Sequence, residues 1–198
     1  MDTSEKLLNA VQVYVLGYLK DNLSSKLTFH TVNHTLEVVQ AAGEIATHYN
    51  LSDENLKLIQ IAACFHDCGY ATVYTGHENL SKQIAEDFLK EHNYPENLLT
   101  HVLSCIEATR YPQNPMSVEA KILCDADLYH FTRPNYHRYE HALRVELELY
   151  FKRGYTETEW TRTNCEMLEN HAYFTDYGIE VLQKFKAINI ERMKCKCI

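Results

Sequence analysis

Apolar residues recur along this chain at intervals of three and four, which is the period of an α-helix and not the alternation of a β-strand. A first helix is predicted over about residues 4–22. Later helices are predicted over about residues 30–48, 52–67, 77–92 and 94–108, then around Asp125, with two or three more separated by breaks near Pro134, Gly154 and Thr175. Only 6 Gly and 4 Pro interrupt these segments. The pattern therefore predicts an all-α fold, a compact helical bundle.

The length and composition fit a single domain over residues 1–198. Hydrophobic residues make up 45% and charged residues 23%, as in ordinary globular proteins. The formal charge of −8 argues against nucleic acid as the partner, because that partner selects basic surfaces. The sequence has no 18-residue apolar run and no signal-peptide pattern at its start, so we expect a cytoplasmic protein with no membrane partner. A homodimer is left open.

Seven cysteines raise the question of disulfides or a zinc site. Their number is odd and no Cys-x-x-Cys pair occurs, which favours reduced thiols. Cys64, Cys105 and Cys124 lie in apolar helical patterns and are predicted to be core residues. Cys195 and Cys197 lie in a charged tail, where a frayed terminus is favoured over adventitious metal binding.

The chain is organised around a His-Asp pair. His66 and Asp67 follow the apolar run 58–65, which is predicted to be a buried helix that stops at Gly69. Two such side chains at a buried helix end are costly unless something satisfies them, and a divalent metal would do so. For an isolated dipeptide the alternative, a half-exposed pair without a role, would be the better interpretation.

Other residues of the ligand type lie on both sides of this pair. Upstream, His30 and His34 are four residues apart, so on one helix they share a face. Downstream, Asp125 and Asp127 interrupt an apolar stretch. The order along the chain is therefore His, then His-Asp, then Asp.

This order resembles the HD-domain superfamily of metal-dependent phosphohydrolases, whose ligand order is H…HD…D. In that family the last Asp usually stands in an Ala-Asp-x-Leu setting, in which x is basic or apolar. Ala126-Asp127-Leu128 is taken to match it, so Asp127 and not Asp125 is aligned with the last ligand. The resemblance covers roughly residues 28–130, the expected metal-binding core, with helices over 135–198 packing on it. Asp125 is left to orient a ligand histidine or to cap or pair locally.

The resemblance implies one divalent metal held by His34, His66, Asp67 and Asp127. Fe, Mn, Ni, Co and Zn are not distinguished by this set, and a weak second metal or Mg²⁺ is left open. Two carboxylates would neutralise the ion, and the remaining coordination positions would accept water and substrate oxygens. Asp67 is therefore expected to be both a ligand and part of the catalytic centre.

The segment Phe29 to His34 is similar to a motif of the cyclic-nucleotide phosphodiesterases, Tyr-His-Asn-x-x-His. In that motif the first His protonates the leaving oxygen and the second binds metal. Here both histidines are kept, whereas Phe29 and Thr31 replace the Tyr and Asn. The resemblance gives His30 the role of general acid, for which histidine is suited. The alternative is an outer or surface histidine that follows the helix period.

Substrate contacts are predicted at His77 and Arg110. His77 resembles the first additional histidine of two-metal members of the superfamily, but the place of a later one is taken by Thr109, a poor ligand. We therefore expect one metal, with His77 near a substrate phosphate or in a weak second site. Arg110 is interpreted either as a phosphate contact or as a solvent-facing residue. Three tyrosines, Tyr70, Tyr74 and Tyr111, are candidates for the wall of a base-binding pocket.

Two functions are consistent with this sequence. The first is a phosphohydrolase or phosphodiesterase that uses a metal-activated water on a small phosphorylated substrate, a nucleotide or another phosphoester. The second is a metal-binding signalling or binding module on the HD scaffold with little turnover. Residues 66–71 lack the HDxxED pattern of the guanosine-tetraphosphate hydrolases. The loop also has no Glu before Glu78, where the deoxynucleoside-monophosphate hydrolases place one, and the GYP motif of the cyclic-di-GMP hydrolases is absent. The substrate is therefore not assigned.

Overall fold

The computed structural model describes residues 3–194, and the side chains of residues 5–194. The described part is helical and contains no β-strand, so the predicted all-α fold is confirmed. Cys195 and Cys197 lie outside the described residues. The helices are α1 (Thr3–Asn22), α2 (Val32–Ala46), α3 (Asp53–Phe65), α4 (His77–Glu91), α5 (Glu96–Ala108), α6 (Val118–Asp127), α7 (Tyr136–Phe151), α8 (Glu157–Asn170) and α9 (Gln183–Lys194).

Short turns of other types complete the backbone. Two 3₁₀ turns, Cys68–Ala71 and Tyr129–Thr132, follow α3 and α6, and a π-helical turn, Gly178–Leu182, leads into α9. Both 3₁₀ turns therefore begin just after the predicted metal ligands of their helices. This places those ligands at helix ends, where side chains can converge on one point.

The predicted helix over 30–48 is shorter than expected at its start. Thr31 is the N-cap of α2, has extended backbone geometry, and accepts a hydrogen bond from the His34 amide. A threonine hydroxyl satisfies an amide that the first turn leaves without a partner, so the helix begins after it. His30 therefore precedes α2, and the prediction that His30 and His34 share one helical face is wrong. The cap predicted at Ser52 is confirmed, since its hydroxyl accepts from the Asn55 amide at 3.2 Å.

Helix α3 lies at the centre of the main core. Its last residues, from Leu58 to Phe65, are buried except for Gln60, and the helix packs against α1, α2, α5 and α6. A helix enclosed on several sides needs apolar residues around its circumference. This explains why the stretch before His66 is almost continuously apolar, and it fixes the His-Asp pair deep inside the fold.

The C-terminal helices form a second, smaller core. Phe131, Tyr136, Leu168, Ile190 and Met193 are buried together there. These residues come from the 3₁₀ turn after α6 and from α7, α8 and α9. The turn that follows the predicted ligand Asp127 is thereby fixed by packing from the C-terminal part of the chain.

Asp125 links α6 to the C-terminal segment. It is fully buried, and its carboxylate accepts hydrogen bonds from the amides of Phe174 and Thr175, each at 2.9 Å, and from the Thr175 hydroxyl at 2.6 Å. A Cβ on Gly178 would lie 2.3 Å from the same carboxylate, so only glycine fits there. Asp125 therefore neither caps nor pairs locally, as one alternative expected, but pairs with residues about fifty positions further along the chain, and its hydrogen bonds among the described residues include none to a ligand histidine.

The cysteines of the described part are thiols. Cys64, Cys105 and Cys124 are buried and free, as predicted, and no disulfide joins the cysteines of the described part. Within residues 3–194, no helix is both long enough and apolar enough to cross a membrane.

Gly69 is required for a different reason from the one predicted. Helix α3 ends at Phe65, and Gly69 lies in the following 3₁₀ turn without the positive φ of a helix-ending glycine. A Cβ at this position would lie 2.0 Å from the backbone oxygen of His77. The absence of a side chain therefore allows the start of α4 to approach the His66-Asp67 pair.

We predict that Gly69→Ala lowers the free energy of unfolding by about 1–3 kcal/mol, because the added methyl group overpacks the contact with α4. Gly17→Ala is the matched control. Its Cβ meets nothing within 4 Å in the exposed middle of α1, so it should stabilise by about 0.5–1 kcal/mol. Urea unfolding of both variants measures the effects. Equal stability of Gly69→Ala and the unsubstituted protein would contradict the close approach.

Candidate metal centre

Three of the predicted ligands converge at the meeting point of α2, α3 and α6. One ligand atom each from His34, His66 and Asp127 lies within 4.8 Å of the other two. Asp67, the fourth predicted ligand, adjoins them, with Oδ2 at 3.4 Å from His34 Nε2 and 3.2 Å from His66 Nε2. The spacing is small enough for one ion to contact all three members of the cluster.

Two polar atoms of this centre are left without a partner. His66 Nε2 and Asp67 Oδ2 are buried and have no hydrogen bond within the described part of the chain. The other nitrogen of His66, Nδ1, lies 2.8 Å from the Ala63 carbonyl oxygen, so in the neutral ring Nδ1 carries the hydrogen and Nε2 has a lone pair. A lone pair and a carboxylate oxygen that face one buried point are the donor set of a divalent metal.

The titration behaviour of the cluster supports the same interpretation. Burial lowers the pKa of His34, but the hydrogen bond with Asp127 and the negative charge of Asp67 outweigh it and raise the pKa to about 9. Burial also lowers the pKa of His66, but the negative charges of Asp67 and Asp127 outweigh it, so this pKa is raised. Without a metal, protons on the histidines offset the two carboxylates. A divalent ion would take the place of these protons.

The second oxygen of Asp67 faces a different residue. Oδ1 lies 3.4 Å from His77 Nε2, while Oδ2 faces His34 and His66. His77 is the first residue of α4, and it follows Gly76, whose φ of +74° is the left-handed conformation that glycine adopts without strain. The carboxylate of Asp67 therefore connects the three-residue cluster to His77.

His30 is held by a residue that the sequence analysis did not single out. Its Nδ1 contacts Oε1 of Glu146, a fully buried residue of α7, and its amide donates to Oε2 at 3.1 Å. The Phe29 amide and the Tyr74 hydroxyl donate to the same carboxylate, at 2.8 and 3.0 Å. Burial raises the pKa of Glu146, but the hydrogen bonds from His30 and the amides outweigh it, so the pKa is lowered. The ionised Glu146 fixes a hydrogen on Nδ1 of His30.

Three rings stack beside the cluster. The ring of Tyr70 lies between those of His30 and His77, with centroid distances of 4.0 and 3.8 Å and interplanar angles of 21° on both sides. Tyr70 belongs to the 3₁₀ turn that follows the His-Asp pair. The same turn therefore sets the separation of His30 and His77.

Arg110 is largely engaged by protein groups. Its guanidinium donates to Glu78 at 2.9 Å, to Asn79 at 2.8 Å and twice to Glu107. A guanidinium has five N–H groups, so these four bonds leave one for another acceptor. The bond to Glu78 pairs the charge of this carboxylate, which is buried next to His77 in the chain.

These residues line one cavity of about 390 Å³. Asp127 of the cluster and Asp67 beside it line this cavity, whereas His34 and His66 are buried and do not line it. The other predicted site residues on its wall are His30, His77 and Arg110, together with the three tyrosines Tyr70, Tyr74 and Tyr111. All the predicted substrate contacts and the predicted aromatic wall are thus gathered beside the cluster.

Three residues of this region were missed or misread in the sequence. The contact of Glu146 with His30 could not be predicted from the sequence. The two residues lie more than a hundred positions apart, and in the sequence Glu146 is an ordinary polar position of a helix. His130 has no partner pattern in the sequence that would mark it, but it is buried beside Phe29, and burial lowers its pKa to about 3. Gln113, whose side-chain amide lies 3.4 Å from Asp127 Oδ2, stands in a turn where no motif marks it.

An all-α fold with a largely buried cluster of histidines and aspartates is the arrangement expected of an HD domain, and comparison with known proteins gives the same family. The family model of the HD domain matches residues 31–132, so the chain belongs to the HD-domain family, whose members are generally metal-dependent phosphohydrolases. The matched range contains the His34, His66, Asp67 and Asp127 positions. His30 and Glu146 lie outside it.

One curated relative is Ribonuclease Y of Campylobacter hominis, which is 32% identical over 161 residues. The match covers 79% of this chain but 28% of the relative, so the chain spans little more than a quarter of that protein's length. No solved structure matches the chain.

We predict that the protein binds close to one divalent transition metal per chain and that His66→Ala loses most of it. The substitution removes a ligand and leaves Asp67 beside Asp127 with less compensating charge. The control is His101→Ala, which removes an exposed histidine of α5 and should keep the metal. Elemental analysis measures the metal content. A metal at 100 times its Kd should add about 2.7 kcal/mol to the free energy of unfolding.

Two results would contradict the metal centre. One is an unsubstituted protein that carries no metal and gains no melting temperature with any divalent ion. The other is His66→Ala protein that retains the same metal content as the His101→Ala control.

Proposed function

We propose that this protein is a metal-dependent phosphohydrolase or phosphodiesterase that hydrolyses a small nucleotide or another phosphoester. The observation that carries the proposal is the position of Asp67. One of its carboxylate oxygens faces His34 and His66, the other faces His77, and the residue lines the cavity that His30 also lines. A phosphoryl group in that cavity would meet the cluster and His30 at once.

His34, His66, Asp67 and Asp127 would hold the metal. When bound, a divalent ion supplies electrophilic stabilisation of a phosphoryl oxygen and lowers the pKa of a coordinated water. The protein contributes the fixed geometry. The two histidines are buried and the two carboxylates face the cavity, which leaves the cavity side for substrate.

His30 would protonate the leaving oxygen. Glu146 holds Nδ1 of His30 and fixes its tautomer, so the proton for the leaving group must come from Nε2. The buried carboxylate also offsets the positive charge that His30 carries when it holds both protons. In this proposal Glu146 is a positioning residue, because it acts through His30 and does not touch the substrate.

His77 and the free N–H of Arg110 would contact the substrate phosphate. His77 lies against Asp67 Oδ1 and lines the cavity, as does Arg110. Arg110 has most of its donors occupied by Glu78, Asn79 and Glu107, so its part is secondary. A weak second metal between His77 and Asp67 is the other arrangement that this contact supports.

RNA cleavage is a second candidate, favoured by the similarity to Ribonuclease Y. Hydrolysis of an RNA phosphodiester needs the same groups as hydrolysis of a small phosphodiester. The formal charge of −8 favours the small substrate, because the affinity of nucleic-acid sites rests on basic surfaces. A metal-binding module with little turnover is a third candidate. The presence of His30 on the cavity wall disfavours it, because a histidine there can act as a general acid.

We predict hydrolysis of small phosphoesters by protein reconstituted with Mn²⁺, Fe²⁺, Co²⁺ or Ni²⁺ and none by protein stripped with a chelator. The panel should include nucleoside monophosphates, cyclic nucleotides, nitrophenyl esters and a short single-stranded RNA. Asp127→Ala is the control for contaminating hydrolases. Metal-loaded protein that binds phosphoesters but hydrolyses none of them would support the binding module, and cleavage of RNA alone would support the second candidate.

We further predict that His30→Ala lowers turnover by about 10²–10⁴ for an ester with a poor leaving group. With a nitrophenolate leaving group, which needs little protonation, the loss should be much smaller. The metal content should be unchanged, because His30 is not part of the cluster. A His30→Ala protein that loses its metal would make His30 a ligand, and equal loss on both esters would make it a phosphate contact.

Glu146→Gln should reproduce the effect of His30→Ala, and the double variant should be no slower than His30→Ala alone, because the two residues act as one unit. Both oxygens of Glu146 accept hydrogen bonds, so the amide also leaves donors unpaired and should lower the free energy of unfolding by about 1–3 kcal/mol. Glu148→Gln, at a half-buried residue of the same helix whose carboxylate pairs with Arg144 and not with His30, is the control for turnover. Additive losses of turnover in the double variant would contradict the positioning role.

A further inference from the structure

A second cavity opens beside the one at the metal centre. It has a volume of about 280 Å³ and shares three lining residues, Tyr111, Gln113 and Leu128, with the first. The two volumes lie near the lower end of the range of small-molecule sites, about 300–1,000 Å³. Because they meet along shared residues, one ligand with two parts could occupy both.

The chemistry of the second cavity differs from that of the first. Its walls carry no charged side chain and are formed by Tyr111, Pro112, Gln113, Leu128, Phe131, Met167, Asn170, His171, Ala172 and Phe174. A second phosphate group would find no cation here. Aromatic and apolar side chains on several sides suit a flat, weakly polar ring.

One lining residue, His171, has a buried ring nitrogen without a hydrogen-bond partner in the described part of the chain. Lys186 Nζ lies 3.3 Å from His171 Nδ1 and also donates to the His171 carbonyl oxygen. An ammonium group has only donors, so Nδ1 must be the unprotonated nitrogen. Burial, together with the charge of Lys186, lowers the pKa of His171 to about 4, so the ring is neutral and its hydrogen is on Nε2.

Nε2 of His171 is buried and has no partner among the described residues. A buried donor without an acceptor destabilises a protein, and such groups are uncommon unless a ligand or water satisfies them. Lys186 itself is fully buried with no carboxylate partner in residues 3–194, and its only other neighbour of note is the ring of Tyr173. The lysine therefore has one evident consequence, which is to fix the hydrogen of His171 on Nε2.

We propose that the second cavity is the subsite for the heterocyclic base of a nucleotide substrate, with His171 Nε2–H donating to an acceptor on the edge of the base. The inference rests on the proposed function, because it places the phosphoryl group of the same ligand at the metal centre. Tyr111, Gln113 and Leu128 form the border across which the sugar would pass. A base supplies the two features that the cavity lacks, a planar apolar face and an edge acceptor.

The test uses metal-loaded full-length protein and phosphonates, which lack the scissile P–O bond. The probes are the 5′-phosphonates of the four common nucleosides, of a phenyl riboside and of ribose alone, with affinities measured by titration calorimetry. We expect at least one nucleoside phosphonate to bind tenfold or more tightly than ribose phosphonate. The affinity of the phenyl riboside phosphonate should lie between those of the nucleoside and ribose phosphonates, because its ring fills the cavity but offers no hydrogen-bond acceptor.

Two variants separate the cavity from the donor. Met167→Trp fills the cavity and should bring the affinity of the nucleoside phosphonate within about threefold of that of ribose phosphonate, which itself should not change. Met116→Trp is the matched control, because Met116 is exposed and lines neither cavity. His171→Phe should weaken the nucleoside probe about tenfold, the value of one hydrogen bond near 1.4 kcal/mol, and leave the phenyl probe unaffected.

The outcomes are distinguishable. If ribose phosphonate binds but no base adds affinity, or if Met167→Trp leaves the preference intact, the subsite is overturned and the proposed function stands. If no phosphonate binds in a metal-dependent manner, both are overturned. Should Met167→Trp fail to fold, judged by its melting transition, Ala172→Leu on the same cavity wall replaces it and the same results decide.

Discussion

Two carboxylates and two histidines meet where α2, α3 and α6 come together, and the rest of the site depends on how their charges are satisfied. Asp67 and its histidine neighbours are almost fully buried, and buried charges are unfavourable unless they are paired. In the absence of an ion, protons on His34 and His66 provide the compensation. A divalent cation would provide it better, since it also satisfies the orphan atoms His66 Nε2 and Asp67 Oδ2.

This cluster is fixed from both ends of the chain. The His-Asp pair is anchored by the enclosed helix α3, and the approach of α4 is possible because Gly69 has no side chain. Asp127 is anchored by α6, which the buried carboxylate of Asp125 ties to residues 174–175. Two aspartates only two residues apart thus have separate tasks, one in the proposed metal centre and one in the connection to the C-terminal segment.

The C-terminal half is also part of the candidate active site. Glu146 in α7 accepts four hydrogen bonds, from the amides of Phe29 and His30, the ring of His30 and the hydroxyl of Tyr74. It thereby fixes the segment before α2 and the loop after the His-Asp pair in one arrangement. Lys186, near the C-terminal end, sets the tautomer of His171 by a similar indirect contact. The family match ends at residue 132, so these features belong to the part of the chain beyond it.

The sequence by itself determined the all-α class and the approximate helices, and it marked the His66-Asp67 pair at the end of an apolar run. These follow from local rules, helical periodicity and a cap at Ser52 among them, that act over a few residues. That His34 and Asp127 join the pair as ligands was implied by the family resemblance and not by these rules. The family resemblance selected Asp127 over Asp125, a choice that periodicity left open.

Only the tertiary structure decided how His30 is oriented, what Asp125 does and why Gly69 is glycine. Each depends on a contact between segments far apart in the chain, with Glu146, Thr175 and the His77 carbonyl respectively. For His30 the local pattern gave a wrong prediction. Its four-residue spacing from His34 suggested that both lie on one helix, but Thr31 caps the helix and His30 precedes it. Packing brings such partners together, and packing is a property of the whole chain, so no local signal marks them.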